Sequence, residues 1–176
     1  MTSVTLARPH IVKAEPAQPR VRLRLARDGD RAAIRAFLGR LSASSLQSRY
    51  LIMLSRMDST RVDREIRRIF DRDAERHVVV VAANAADVHA IGEIVLDSDG
   101  RSAELALTVE DAFQRRGLGR RLYRRLEALA RSRGVSTLTG DASNDNYRIQ
   151  NLLRATGRPL RLEAGYGGVR FTLRIA

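Results

Sequence analysis

Val21, Leu23 and Leu25 alternate with arginines across Arg20–Arg27, the period of a strand with one buried face. Asp28 is suited to cap the helix that follows, where Ala33, Ile34, Phe37, Leu38 and Leu41 fall on one side. Ser42–Leu54 predicts a second, shorter helix. Asp58 or Ser59 caps a third, in which Val62, Ile66, Ile69 and Phe70 recur at helical spacing. The period then changes. His77–Ala83 is a short continuous apolar run, expected of a central strand. After a turn at 84–87, His89–Leu96 is another strand. Asp97–Gly100 is a turn carrying the Asp-Gly hairpin signal, and Ala103–Val109 pairs back antiparallel.

A long helix is predicted from Gly117 to about Arg133, with Leu118, Leu122, Leu126 and Leu129 along one side. Val135–Gly140 is a strand. A helix from about Asp145 to Thr156 is stopped by Gly157 and Pro159. Val169–Ile175 closes the chain as a strand, with room for a weaker one just before it. The order predicts a mixed α/β domain on one central sheet, over residues 20–176. Residues 1–19 hold three of the four prolines and no clear period, and are expected to be a flexible tail. They lack the apolar core of a secretory signal, so a cytoplasmic location is the default expectation. No apolar run is long enough to span a membrane.

Composition narrows the chemistry. The 176 residues contain no cysteine, which excludes disulfides, thiolate metal sites and an acyl-cysteine intermediate. Lys13 is the only lysine among 32 basic residues, so the net charge of +12 is carried by arginine. Arginine offers permanent charge and a planar donor fork suited to phosphates and carboxylates. A general arginine bias of the sequence would give the same composition without any polyanion partner. His10, His77 and His89 have no ligand spacing, so no metal site is expected.

The chemically informative segment is Ala103–Gly119. A strand ends at Val109, and Gln114-Arg115-Arg116-Gly117-Leu118-Gly119 then opens the leucine-faced helix. Glycines before a helix let unpaired backbone N–H groups converge, and the helix dipole adds positive potential. That makes a cradle for pyrophosphate. The third glycine of a dinucleotide fingerprint is absent, Leu122 standing in its place, and no glycine precedes a lysine as a P-loop requires. Between residues 112 and 134 stand eight arginines and one acid, Glu127. Arginines at a helix N-terminus oppose the dipole unless an anion binds there. A solvated basic face accounts for the later ones equally well.

Gln-x-x-Gly-x-Gly between a strand and an amphipathic helix resembles the acetyl-coenzyme A signature of the GNAT N-acetyltransferase family. The element order resembles that family too, over roughly residues 20–176. LSASSLQSRY (41–50) together with AELALTV (103–109) is similar to the acetyltransferase domain of bacterial protein lysine acetyltransferases. The resemblance implies a GNAT-like α/β fold, with a mixed, mostly antiparallel central sheet flanked by helices. It implies acetyl-CoA as cosubstrate and an amine acceptor, small molecule or protein, with direct transfer. It places the pantetheine on Leu107 and Val109, the pyrophosphate on Gln114, Arg115, Arg116, Gly117, Leu118, Gly119 and Arg120, and Asn146 near the pantetheine and adenosine arm.

In AELALTV, Glu104, Ala106 and Thr108 share one side and Leu105, Leu107 and Val109 the other. A lysine amine is mostly protonated at neutral pH, so transfer calls for a base. The resemblance implies Glu104, with Glu93 on the preceding strand as the rival carboxylate. Where many relatives carry a tyrosine acid, Leu152-Leu153 stands here, and Tyr147 lies beside Asn146. The other reading is a catalytically silent regulatory or nucleic-acid-binding module of the same fold, with nonspecific, salt-dependent nucleic-acid affinity from the net charge. The acceptor and the oligomeric state stay open, a dimer being compatible.

Overall fold

The computed structural model describes residues 21–165 and 168–176; the expected N-terminal tail, 1–19, lies outside them. Strand β1 (Arg22–Leu25) leads through a 3-10 turn at Asp28–Asp30 into helix α1 (Arg31–Arg40). Helices α2 (Ala43–Tyr50) and α3 (Ser59–Phe70) follow, then strands β2 (His77–Ala83), β3 (Val88–Leu96) and β4 (Ser102–Val109). Helix α4 (Leu118–Arg131), strand β5 (Thr137–Ala142), helix α5 (Tyr147–Arg154) and strands β6 (Leu160–Gly165) and β7 (Gly168–Arg174) complete the order. The seven strands form one sheet, β1-β2-β3-β4-β5-β7-β6, in which only β4 and β5 run parallel.

The apolar run of β2 has a simple cause. Val78, Val80 and Ala82 enter the core under α4 and α5, with Ile94, Leu105, Leu122, Leu126 and Leu173. Val79, Val81 and Ala83 enter a second core under α1, α2 and α3, with Ile34, Phe37, Leu46, Val62 and Ile91. A strand buried on both sides cannot alternate. Among the described residues edge strand β1 pairs only with β2, and Leu25 is 45% exposed, so its expected buried side is only half buried.

Local signals are displaced in three places. Asp30, not Asp28, anchors the entry to α1: it accepts Arg24 Nη1 and Nη2 at 2.6 and 2.7 Å and the Arg27 N–H at 2.8 Å. Helix α2 ends at Tyr50 rather than Leu54, because Leu51 turns left-handed (φ +56°). The weak strand before β7 is a full six-residue partner of it, β6. Asp58 caps α3 as expected, accepting the Arg61 N–H at 2.8 Å. No helix among the described residues is long and apolar enough to cross a membrane.

Helix α4 lies close on β3 because Gly92 has no side chain. A Cβ there would stand 2.5 Å from Leu126 Cδ1 and 2.9 Å from Leu122 Cγ. Gly92→Ala is therefore expected to destabilise the fold by about 1–3 kcal/mol through overpacking. Denaturant titration measures this, and an unchanged midpoint would mean α4 shifts freely.

Candidate functional site

Strands β4 and β5 pair only through Ser102–Thr137, Ala103–Leu138 and Glu104–Thr139. Beyond these positions the two strands part, and a wedge opens between them. Backbone groups of successive strand residues point to opposite neighbours. The Glu110 N–H donates to His89 on β3 at 2.9 Å, so Leu107 and Val109 turn their backbone groups the other way, into the wedge. A cavity of about 350 Å³ begins here. Its walls come from Leu107–Val109, from the loop and first turn of α4, from the start of α5 and from α2.

The loop supplies donors. Arg115 (φ +58°) and Gly117 (φ +78°) take left-handed conformations, which fold 114–117 tightly before the helix. Gly117 is the N-cap of α4 and no side chain caps that end; the first turn has no acid. None of the backbone N–H groups of residues 115–120 donates a hydrogen bond among the described residues. A fourteen-residue helix thus ends in a convergent set of open N–H groups with positive potential. That geometry fits a pyrophosphate group.

Gln114 has a different task from its neighbours. Its Nε2 donates to Ser45 Oγ at 3.0 Å and to the Val109 carbonyl at 2.9 Å, and its Oε1 accepts from Arg148. Asp111 completes the tie: its Oδ1 accepts Ser42 Oγ at 2.7 Å and Ser45 Oγ at 3.0 Å. These bonds fasten α2, the end of β4 and the start of α5 around the cavity. Burial disfavours the Asp111 charge, but the bonds from Ser42 and Ser45 outweigh it and lower its pKa.

Of the residues singled out in the sequence, Leu107, Val109, Gln114, Arg115, Gly117, Gly119, Arg120 and Asn146 meet at this cavity. Arg116 is exposed outside it, and the Leu118 side chain is buried in the core, leaving only its backbone for the cradle. Asn146 caps α5, its Oδ1 accepting the Ile149 N–H at 3.3 Å. Leu152 lines the wall, while Tyr147 is 66% exposed. Ser48, Arg49 and Arg148 also line the cavity. Sequence reasoning passed over all three as site residues. Ser48 and Arg49 fall within the 41–50 segment; Arg148 carries no local signal.

The two candidate carboxylates differ sharply. Glu104 is exposed, on the same side of β4 as Thr108 and about 13 Å along the strand from it. It sits beside Val95 and Thr139, at the last pair before the wedge opens. Glu93 is 3% exposed and fully engaged: Arg49 Nη2 at 2.7 Å, Arg68 Nη2 at 2.8 and 2.7 Å, and His77 Nε2 at 2.9 Å. Burial alone would raise its pKa, but Arg49, His77 and Arg68 outweigh that and hold it well below the usual range. A carboxylate so fixed is a poor proton acceptor.

The comparisons with known proteins agree with this architecture. The acetyltransferase (GNAT) family matches residues 45–157. The GNAT domain of S. lividans PAT is similar in structure, with a TM-score of 0.76 and 21% identity, over 88% of this chain and 90% of that one. An acetyltransferase of Salmonella typhimurium, solved with its cofactor acetyl-CoA, has a TM-score of 0.67 and 19% identity, over 89% and 94%. A spermidine N-acetyltransferase of Vibrio cholerae, in complex with CoA and spermine, has a TM-score of 0.65 and 15% identity, over 88% and 96%.

Proposed function

The chain belongs to the acetyltransferase (GNAT) family, and from that premise we propose that it transfers the acetyl group of acetyl-CoA directly to a primary amine, the side chain of a protein lysine. The observation that carries the reading is the uncapped α4 N-terminus facing the wedge where β4 leaves β5. Diphosphate fits the N–H groups of the 115–120 segment, with Arg115 and Arg120 beside them. The pantetheine amides fit the backbone groups of Leu107 and the N–H of Val109, whose carbonyl is held by Gln114 Nε2. In the transfer step the amine nitrogen attacks the thioester carbon, the C–N bond forms and the C–S bond breaks. The thiolate leaves, and the amine proton passes to Glu104. The chain has no cysteine to carry the acetyl group in between.

A protein acceptor is supported by the rim. Leu51, Ile52 and Met53 are 40%, 46% and 83% exposed, and follow directly on the part of α2 that lines the cavity. Exposed Tyr147 stands between the lining residues Asn146 and Arg148. Contiguous exposed apolar side chains suit a macromolecular surface more than a small amine. The net charge of +12 disfavours polyamines. The test is thiol release from acetyl-CoA against a panel of amines, peptides and proteins, with thermal stability measured alongside. At about 100-fold excess over Kd, CoA should add about 2.7 kcal/mol. No stabilisation and no thiol release would overturn the reading.

Gly117→Asp tests the cradle separately. A Cβ at Gly117 meets nothing within 4 Å; φ +78° strains any side chain, but aspartate is among those that enter the left-handed region most readily, so the fold should survive at some cost in stability. A carboxylate at that spot faces the bound diphosphate. CoA affinity is expected to fall about 10–100-fold by calorimetry, the loss of one or two charge-assisted contacts. Full affinity in the folded variant would remove the cradle from the proposal.

A further inference from the structure

Helix α4 presents a second basic surface that the cavity does not use. Arg121, Arg124, Arg125 and Arg131 are exposed and fall within one stripe about 120° wide, opposite the buried leucines. None of them has a carboxylate partner among the described residues, although ten arginines elsewhere do. The one acid of α4, Glu127, is engaged by Arg158 from outside the helix. Arginines at i, i+3 and i+4 repel one another and cost the helix stability. Only Ala128 interrupts the stripe, which contains neither an aromatic nor a large apolar side chain.

Residues 1–20 join the described chain at Val21, whose carbonyl accepts Arg121 Nη2 at 3.2 Å. That segment carries one acid, Glu15, against Arg8, Lys13 and Arg20, so its charge does not neutralise the stripe.

We propose that the outer side of α4 binds the phosphate backbone of nucleic acid without reading its sequence. Protein interfaces build on an apolar centre, and single strands are gripped by aromatic stacking; the stripe has neither. Charge alone, spread along about 15 Å of helix, matches a duplex backbone. This inference is independent of the acetyl-transfer reading.

The test is binding of a mixed-sequence DNA duplex of about 20 base pairs, by fluorescence anisotropy, between about 50 and 200 mM salt. In Arg124→Gln/Arg125→Gln/Arg131→Gln the affinity should fall about tenfold or more, and the log–log salt slope should flatten by up to about 2.7, three phosphate contacts' worth. The comparison variant, Arg56→Gln/Arg64→Gln/Arg67→Gln, removes the same charge from exposed positions elsewhere and should change little. Ala128→Glu, which gains i,i+3 and i,i+4 partners in Arg131 and Arg124, should weaken binding while keeping or raising the melting temperature. Saturating CoA should leave duplex binding in place. Equal losses in the two triple variants would show an effect of net charge alone. Displacement by CoA would move the duplex to the cradle, and tighter binding of polyglutamate would assign the stripe to acidic proteins. Each of these three results overturns the proposal.

Discussion

Glu104→Gln is expected to lower the acetyl-transfer rate by about 10²–10⁴-fold at neutral pH, the usual worth of a general base. CoA affinity should be nearly unchanged, because Glu104 is not among the residues lining the cavity. Its place on β4 explains both halves. It is the last residue paired to β5 before the wedge, and its side chain is exposed, within reach of an approaching acceptor. A lysine amine, with a pKa near 10.4, must shed a proton before or as it attacks. The loss in Glu104→Gln should therefore shrink as pH approaches that value, where the amine deprotonates unaided. A merely structural glutamate would give a constant ratio between variant and parent. The pH–rate profiles of both proteins on one acceptor decide the matter, and parallel profiles would end the case for Glu104.

Glu93→Gln should act on stability instead. It removes one of the two buried carboxylates that Arg49 and Arg68 share, leaving them Glu65 alone, a loss of up to about 3–5 kcal/mol. Because the folded-state pKa of Glu93 lies below its unfolded value of about 4.3, its stabilisation is fully present above that value. It is lost as pH falls through the folded pKa. Urea midpoints for parent and variant should differ most near neutrality and converge in acid. If Glu93→Gln is too unstable to purify, Glu93→Gln/Arg49→Met removes one stranded charge as well and should recover part of the loss. A single variant as stable as the parent at neutral pH would mean that the cluster contributes nothing.

What the sequence made legible was local. Alternation in 103–109 put Glu104 and Thr108 on one side of a strand, and the structure has them so. The Asp-Gly turn joins β3 to β4 as expected, and the glycine-opened helix is there with its donors uncapped. What escaped depends on contacts far along the chain. Strand β6 was weak as a pattern because it is an edge strand, largely exposed, whose only partner among the described residues is β7. Gln114 reads as one more residue of the loop; its ties to Ser45 and Arg148 span 69 and 34 positions. Glu93 and Arg49 are 44 apart, and nothing near either indicates that the carboxylate is locked in an ion cluster rather than free for chemistry. The end of α2 escaped for another reason: a leucine in the left-handed region is uncommon, and propensity alone carries the helix onward.

The wedge also bears on how the molecule holds together. The sheet is two antiparallel blocks, β1–β4 and β5-β7-β6, and across their seam run only three residue pairs. Such a seam is where a domain opens as separate cooperative units well before it unfolds as a whole. Bonded to β4 from within the gap, as proposed above, the amides of a thioester cosubstrate would serve as a short surrogate strand. It would close the seam that the polypeptide leaves unfinished, so that occupancy and global cooperativity draw on the same free energy. The C-terminal block is then the part of the chain whose amide exchange slows most when the cosubstrate arrives, and the part first exposed to proteolysis when it is scarce.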